Sequence, residues 1–135
     1  TNITFTSAPH SAARIFAITG FDNTALASGG VARTETSSVN VSGSSAVTIM
    51  SFNASTYRAA ELFIVSQNAN NYGAEKAVVV HNGSTAFVTV YGITNSAGED
   101  SITITAAYSS GTVNVQATAN NSATHAVTVQ YSLAA

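Results

Sequence analysis

Hydrophobic and polar residues alternate with period two along the last strand-like run of the chain. One set is apolar or aromatic apart from a histidine: His125, Val127, Val129, Tyr131 and Leu133. The intervening set is small or polar: Thr124, Ala126, Thr128, Gln130 and Ser132. Because successive side chains of a β-strand point to opposite faces, this pattern predicts a strand with one buried and one wet face.

The run from Ile102 to Ala119 predicts a β-hairpin with its turn at Ser110-Gly111. In that register one face is apolar: Ile102, Ile104, Ala106, Tyr108, Val113, Val115, Ala117 and Ala119. The other face is mainly polar: Thr103, Thr105, Ala107, Asn114, Gln116 and Thr118. A slip of one residue would mix the two sets, so the separation favours this pairing and a sheet that is wet on one side.

A second hairpin is predicted at Asn82-Gly83, between the runs Val78–Val80 and Ala86–Val88. Asparagine and glycine both accept positive φ, as a two-residue type I′ turn requires. The sequence therefore places a two-residue turn at these positions.

Two more strands are predicted earlier in the chain. Residues Tyr57 to Val65 are apolar on both sides, which indicates a central strand, and Val47 to Phe52 alternate just before it. No segment predicts a convincing amphipathic helix. The predicted fold is all-β: an antiparallel β-sandwich, jelly-roll-like or Ig-like, with an N-terminal arm.

The chain is predicted to divide into an N-terminal arm and loop, residues 1–37, and a β-sandwich domain, residues 38–135. The arm is too short to bury a core of its own, and Gly29-Gly30 could let it swing away. Its large apolar residues form the candidate assembly interface: Ile3, Phe5, Ile15, Phe16, Ile18 and Phe21. The sequence supports two interpretations equally. In one the arm packs against a neighbouring copy or another protein, and in the other it completes its own sandwich.

The chain carries few charges, with four basic and six acidic residues in 135 and a net charge of −2. Charged residues are 7% of the chain, against roughly 25% in an ordinary soluble domain. So little electrostatic repulsion indicates a protein that packs against copies of itself in a virion, a filament or another outer-surface assembly. The four cations are scattered, so nucleic-acid binding is not expected, and no apolar run is long enough for membrane insertion.

Several runs resemble a β-rich domain of virion structural proteins from tailed phages of marine cyanobacteria and related hosts. They are Ser55–Val65 with Tyr57-Arg58 at its opening, Val47–Phe52, Ala77–His81 followed by Asn82-Gly83, Ala86–Tyr91 followed by Gly92, and Thr124–Leu133. The resemblance covers about residues 38–135, and Glu61 stands where that family tends to have a basic or polar residue. It implies a structural role in a decoration protein, fibre or tail component.

Candidate chemistry in the sequence is weak. The three histidines, His10, His81 and His125, lack the short spacing of a zinc motif, and the chain has no cysteine. Adjacent Glu99-Asp100 could contribute to a calcium site, but a solvated turn is the stronger reading. No Gly-x-Ser-x-Gly elbow and no distinguishable carboxylate pair is present. The sequence therefore predicts no catalytic, cofactor-binding or metal-binding residue, no cofactor, and a protein that is not an enzyme.

The sequence-based prediction of function is a phage virion structural protein. A short chain, taken as complete, favours a capsid decoration or cement protein that assembles through β-sheet and arm contacts. The alternatives are a tail-fibre module that binds a receptor or glycan, and an extracellular filament subunit joined by strand donation. The expected partners are copies of itself and other virion proteins, with a glycan receptor for the alternative. The expected location is the outer surface of a virion, or otherwise extracellular.

Overall fold

The computed structural model describes residues 32–97 and 101–135, and these residues form eight antiparallel strands. The strands are β1 (Ala32–Val41), β2 (Val47–Asn53), β3 (Ala59–Asn68), β4 (Asn71–His81), β5 (Ala86–Asn95), β6 (Ile102–Ser109), β7 (Thr112–Ala119) and β8 (His125–Ala134). Within these ranges there is no helix, and so none that is long and apolar enough to cross a membrane. The prediction of an all-β protein is confirmed.

The eight strands form two packed sheets. One sheet has five strands in the order β1-β8-β3-β4-β5, and the other has three in the order β2-β7-β6. Apolar side chains from both sheets fill the space between them, including Ile64, Val79, Val113 and Val129, all fully buried. This is the antiparallel β-sandwich that the sequence predicts.

The β6–β7 hairpin has the predicted register, with Ile104 opposite Ala117 and Ser109 opposite Thr112. Ser110 and Gly111 have φ values of 49° and 80°, so both central turn residues adopt the left-handed conformation of a type I′ turn. The predicted inner face lies in the core, and the opposite face is exposed or half-buried. Strand β8 alternates between buried and exposed residues along its whole length, as predicted.

The β4–β5 hairpin is present, but its turn lies one residue later than predicted. His81 pairs with Ala86, and the backbone N–H of Asn82 donates to the carbonyl of Thr85 at 3.1 Å. The two central residues are therefore Gly83, with φ of 96°, and Ser84. The shift occurs because the Asn82 Oδ1 accepts the N–H groups of Ser84 and Thr85, at 3.0 and 2.9 Å, and so closes the turn from its first position.

Strand β2 does not alternate simply, in contrast to the prediction. Its register against β7 shifts between Thr48 and Met50, which inserts an extra residue on the β2 side. As a result both Ile49 and Met50 are buried. A β-bulge of this kind turns consecutive side chains toward the core, and the gain in apolar burial stabilises it.

Strand β1 crosses the predicted boundary between residues 37 and 38. It pairs with β8 along its whole length, from Ala32 opposite Ala134 to Val41 opposite His125. Residues 32–37, assigned to the arm from sequence, therefore belong to the sheet. The six residues of the candidate assembly interface lie outside the described residues.

His81 links the β4–β5 turn to the connection between β2 and β3. It is buried, its Nε2 lies 2.8 Å from the Tyr57 carbonyl, and its Nδ1 accepts the Gly83 N–H at 3.1 Å. Since Nδ1 accepts, Nε2 carries the proton and donates. The rings of Phe52 and Tyr108 lie about 6.0 and 5.9 Å from its ring centre.

Replacing His81 by Leu is expected to lower the free energy of unfolding by about 1–3 kcal/mol, because the buried Tyr57 carbonyl loses its donor while the apolar volume is kept. Urea unfolding followed by tyrosine fluorescence measures the change. An unchanged midpoint and slope would show that the two hydrogen bonds contribute nothing to stability.

Candidate functional site

One surface of the sandwich is unusually apolar. We use the name outer face for the side of the five-stranded sheet that points away from the three-stranded sheet. On β3, β4 and β5 this face carries large exposed hydrophobic residues: Phe63, Tyr72, Val78, Val80, Phe87 and Tyr91. The inward residues of β4, such as Ala77 and Val79, are by contrast fully buried.

Strand register places these side chains next to one another. Phe63, Lys76 and Tyr91 form one row across β3, β4 and β5, and Val80 pairs directly with Phe87. Adjacent strands are about 4.8 Å apart, so side chains within a row are in reach of each other. Phe63, Val80 and Phe87 are 43, 47 and 52% exposed. The result is a cluster of exposed apolar residues on this face, with Glu61, Lys76 and Thr89 lying among them.

The half of the outer face on β1 and β8 has the opposite character. Its exposed residues include Thr36, Ser38, Asn40, Thr128, Gln130 and Ser132. The hydroxyls of Ser38 and Thr128 are 3.2 Å apart and hydrogen-bond across the strand pair. A shallow depression lies where the two halves meet, bordered by Glu61, Phe63, Lys76, Gln130 and Ser132. The outer face is thus polar on β1 and β8 and mainly apolar on β3, β4 and β5.

The prediction that residues Tyr57 to Val65 form a central strand is confirmed, but only one side of that strand is buried. Strand β3 is central in the sheet, between β8 and β4. Its inward residues Ala60, Leu62 and Ile64 are buried, but Phe63 on the other side is not. Neighbouring strands satisfy the backbone of a central strand without covering its faces, so a second apolar side needs another layer of protein to bury it.

The residues considered for chemistry are dispersed. His81 and His125 are both buried but belong to different ends of the sandwich, and His10, Glu99 and Asp100 lie outside the described residues. No group of three metal-ligating side chains occurs in the ranges that the structure describes. Glu35 contacts the Tyr131 hydroxyl, which donates to its carboxylate.

The carboxylates of the described residues do not form a pair. Glu35 in β1 and Glu75 in β4 are separated by β8 and β3, and Glu61 points to the outer face. Of the five tyrosines, Tyr57 and Tyr131 are buried, Tyr108 is half-buried, and only Tyr72 and Tyr91 are exposed. Both exposed tyrosines lie on the outer face.

The solved structures that resemble this fold include three phage tailspike proteins. The tailspike of Acinetobacter baumannii phage AM24 matches with a TM-score of 0.50 and 11% identity over 76% of this chain and 26% of that chain. The tailspike of Acinetobacter phage vB_ApiP_P1 matches with a TM-score of 0.49 and 16% identity over 96% of this chain and 25% of that chain. Tailspike gp49 of Acinetobacter baumannii bacteriophage Fri1, a capsular polysaccharide depolymerase, matches with a TM-score of 0.44 and 13% identity over 76% and 18%.

The match to the AM24 tailspike shows a shared fold. The chain spans about a quarter of the length of the AM24 and vB_ApiP_P1 tailspikes. No protein-family model matches the chain, and no curated protein sequence does. The resemblance to proteins of cyanobacterial phages stays a prediction.

The prediction that the protein is not an enzyme is contradicted by the likeness to phage tailspikes, a class of proteins that includes a capsular polysaccharide depolymerase. The prediction rested on contiguous motifs and on recognisable residue pairs within one chain. Cleavage of a polysaccharide depends instead on carboxylates that the fold brings together in space, from any part of a much longer protein. The absence of a local motif was therefore an insufficient reason.

Proposed function

We propose that this chain is a β-sandwich module of a phage tailspike or tail fibre, and that the outer face of its five-stranded sheet packs against other parts of the tail assembly. The observation that carries the proposal is the cluster of large exposed apolar residues on this face: Phe63, Val78, Val80, Phe87 and Tyr91. Contiguous exposed apolar surface with a polar border is typical of protein–protein contact sites.

The low charge of the chain supports the same role. A chain with four basic and six acidic residues in all has little electrostatic repulsion to oppose association. On the apolar half of the outer face, burial of Phe87 or Val80 by a partner removes apolar area from water, which is the main favourable contribution to association. The proposed partners are further copies of the chain and neighbouring tail proteins.

The likeness to the AM24 tailspike supports a position in the tail. Capsid decoration, the first reading of the sequence, receives no comparable support. Immunogold electron microscopy of phage particles with an antibody against this chain tests the proposal directly. Gold at the tail tip is expected, and gold distributed over the head would overturn it in favour of decoration.

The outer-face contact is tested by replacing both Val80 and Phe87 with Ser. The double variant is expected to weaken self-association at least about tenfold, because two half-exposed apolar side chains no longer contribute burial. Sedimentation equilibrium over a range of concentrations measures the dissociation constant.

The matched control replaces Thr103 and Thr105, exposed on the three-stranded sheet, with Ser. It is expected to leave association unchanged. Equal dissociation constants for the native chain and the Val80→Ser/Phe87→Ser variant would place the contact elsewhere, and a native chain that stays monomeric throughout would contradict contact between copies.

A further inference from the structure

Strand β5 forms one edge of the five-stranded sheet. It pairs with β4 on one side, and no strand of the described residues pairs with its other side. The main-chain groups along such an edge are a template for pairing with a strand of another molecule. A β-bulge at Gly92, whose φ is 62°, ends the regular part of the strand, so residues 86–91 form the edge that can pair.

This edge lacks the features that usually prevent pairing. Natural sheets discourage contact between edges with charged side chains or with proline, and β5 contains neither. Strand β1, at the other end of the sheet order, contains both Arg33 and Glu35. The two ends of the sheet therefore differ, and β5 is the one suited to association.

Hydrogen bonds near the β4–β5 turn establish which groups point to the edge. The Asn82 N–H donates to the Thr85 carbonyl, and bonded and non-bonded pairs alternate from there along the hairpin. In agreement, the N–H of His81, which pairs with Ala86, donates to the Arg58 carbonyl and not to β5. The residues that bond to β4 are thus Phe87, Thr89 and Tyr91. The residues whose N–H and C=O groups point to the edge are Ala86, Val88 and Val90.

The edge is complementary to itself about Thr89. In an antiparallel pair with a two-fold axis at this residue, Thr89 lies opposite Thr89 of the second copy, and Phe87 lies opposite Tyr91. Val88 and Val90 then exchange N–H to C=O hydrogen bonds across the axis. Phe87 and Tyr91 occupy non-hydrogen-bonded positions, where opposite side chains approach most closely and aromatic pairs stabilise a sheet. An axis one residue away would place an aromatic ring opposite Thr89 instead.

We infer that β5 pairs antiparallel with β5 of a second copy of this chain, about a two-fold axis at Thr89, and joins two five-stranded sheets into one. Phe87 and Tyr91, 52 and 41% exposed in the single chain, cover each other across the axis. The contact goes beyond the proposed packing of the outer face, because it depends on main-chain groups along an edge and requires no position in the tail.

The pair is expected to be weak by itself. So short a segment buries less than the roughly 1,600 Å² of a standard interface, so further contacts between copies have to strengthen it in an assembly. Disulfide trapping detects a weak contact of defined geometry. The chain has no cysteine, so a single cysteine substitution reports on one position without background.

The experiment uses the full chain with Thr89→Cys, oxidised in a glutathione buffer. In a non-hydrogen-bonded antiparallel pair the opposite Cα atoms are about 4.5 Å apart, a separation that a disulfide spans. Non-reducing electrophoresis is expected to show a covalent dimer as the main oxidised product.

The matched control is Val78→Cys. Val78 is the β4 partner of Thr89, points to the same outer face and is 41% exposed. In the proposed pair the two copies of this residue are three strand spacings apart, about 14 Å, which is too far for a disulfide. We expect at least about tenfold less covalent dimer than with Thr89→Cys, because only the position on the axis has disulfide geometry.

A second pair of variants tests the main-chain hydrogen bonds in the Thr89→Cys background. Val88→Pro removes an N–H that points to the edge and not to β4, a position where a sheet tolerates proline. It is expected to lower the yield of covalent dimer at least about tenfold, because both copies lose a donor. Val88→Ala shortens the same side chain but keeps the N–H, and it should retain most of the dimer.

Three results would overturn the β5 pair. Absence of a Thr89→Cys dimer would mean that the edge does not bind its own copy and is left for a strand of a different protein. Equal dimer yields for Thr89→Cys and Val78→Cys would indicate copies that meet face to face. Equal yields for Val88→Pro and Val88→Ala would exclude main-chain pairing.

Circular dichroism confirms that each variant is folded, and the comparison of Thr89→Cys with Val78→Cys decides the question even where Val88→Pro does not fold. Gold labelling of the particle, described above, reports on the tail position by itself. Failure of the β5 pair is therefore distinguishable from failure of the proposed function.

Discussion

Replacing Ile104 by Ala is expected to lower the free energy of unfolding by about 2–5 kcal/mol. Ile104 is 6% exposed, belongs to β6, and points with Val115 and Ala117 into the space between the sheets. Removing its outer carbons forfeits apolar burial and leaves a cavity that two hydrogen-bonded sheets cannot easily close. Urea unfolding monitored by circular dichroism measures the loss.

The adjacent residue provides the control. Thr105 is exposed on the other side of the same strand, so Thr105→Ala should change stability by no more than about 0.5 kcal/mol. Equal losses at the two positions would mean that β6 is buried on both sides in solution, for example by a partner on the three-stranded sheet.

The β6–β7 hairpin could be predicted from sequence to the residue because two independent signals agree there. Ser110-Gly111 satisfies the backbone requirement of a tight turn, and only one register separates apolar from polar side chains. Strand β8 could be predicted from the separation of apolar and polar side chains alone. In both elements the alternation of apolar and polar residues in the sequence matches the alternation of buried and exposed side chains in the fold.

The predicted position of the β4–β5 turn was less accurate, because a side chain there forms hydrogen bonds with backbone N–H groups. Asn82-Gly83 has the composition of a two-residue turn, but the Asn82 side chain captures two N–H groups and moves the turn to Gly83-Ser84. The bulge near Thr48 depends on how β2 meets β7, a contact between residues more than sixty positions apart. Neither effect is visible in a local pattern.

The candidate surface on the outer face also needed the fold. The apolar character of Phe63 is evident from sequence, but whether a second layer of protein covers it depends on topology.

Deletion of residues 1–21 is expected to leave the sandwich folded and to abolish assembly. Among the described residues, the core from Val41 to Leu133 is formed by strands β1 to β8 and their connections, so the melting temperature of residues 22–135 should stay within a few degrees of that of the full chain. The deleted segment carries six large apolar residues, from Ile3 to Phe21, that need to be covered by protein. Light scattering and thermal unfolding measure the two effects separately.

A full-length variant with Phe5→Ser and Phe16→Ser separates side-chain contacts from chain length. It is expected to assemble as poorly as the deletion, because the apolar contacts are lost while the backbone remains. Unfolding of residues 22–135 would instead show that the segment completes the core of its own sandwich, the second reading of the sequence. Unchanged assembly in both proteins would leave the outer face of the five-stranded sheet as the contact that holds copies together, since Val80 and Phe87 are intact in each.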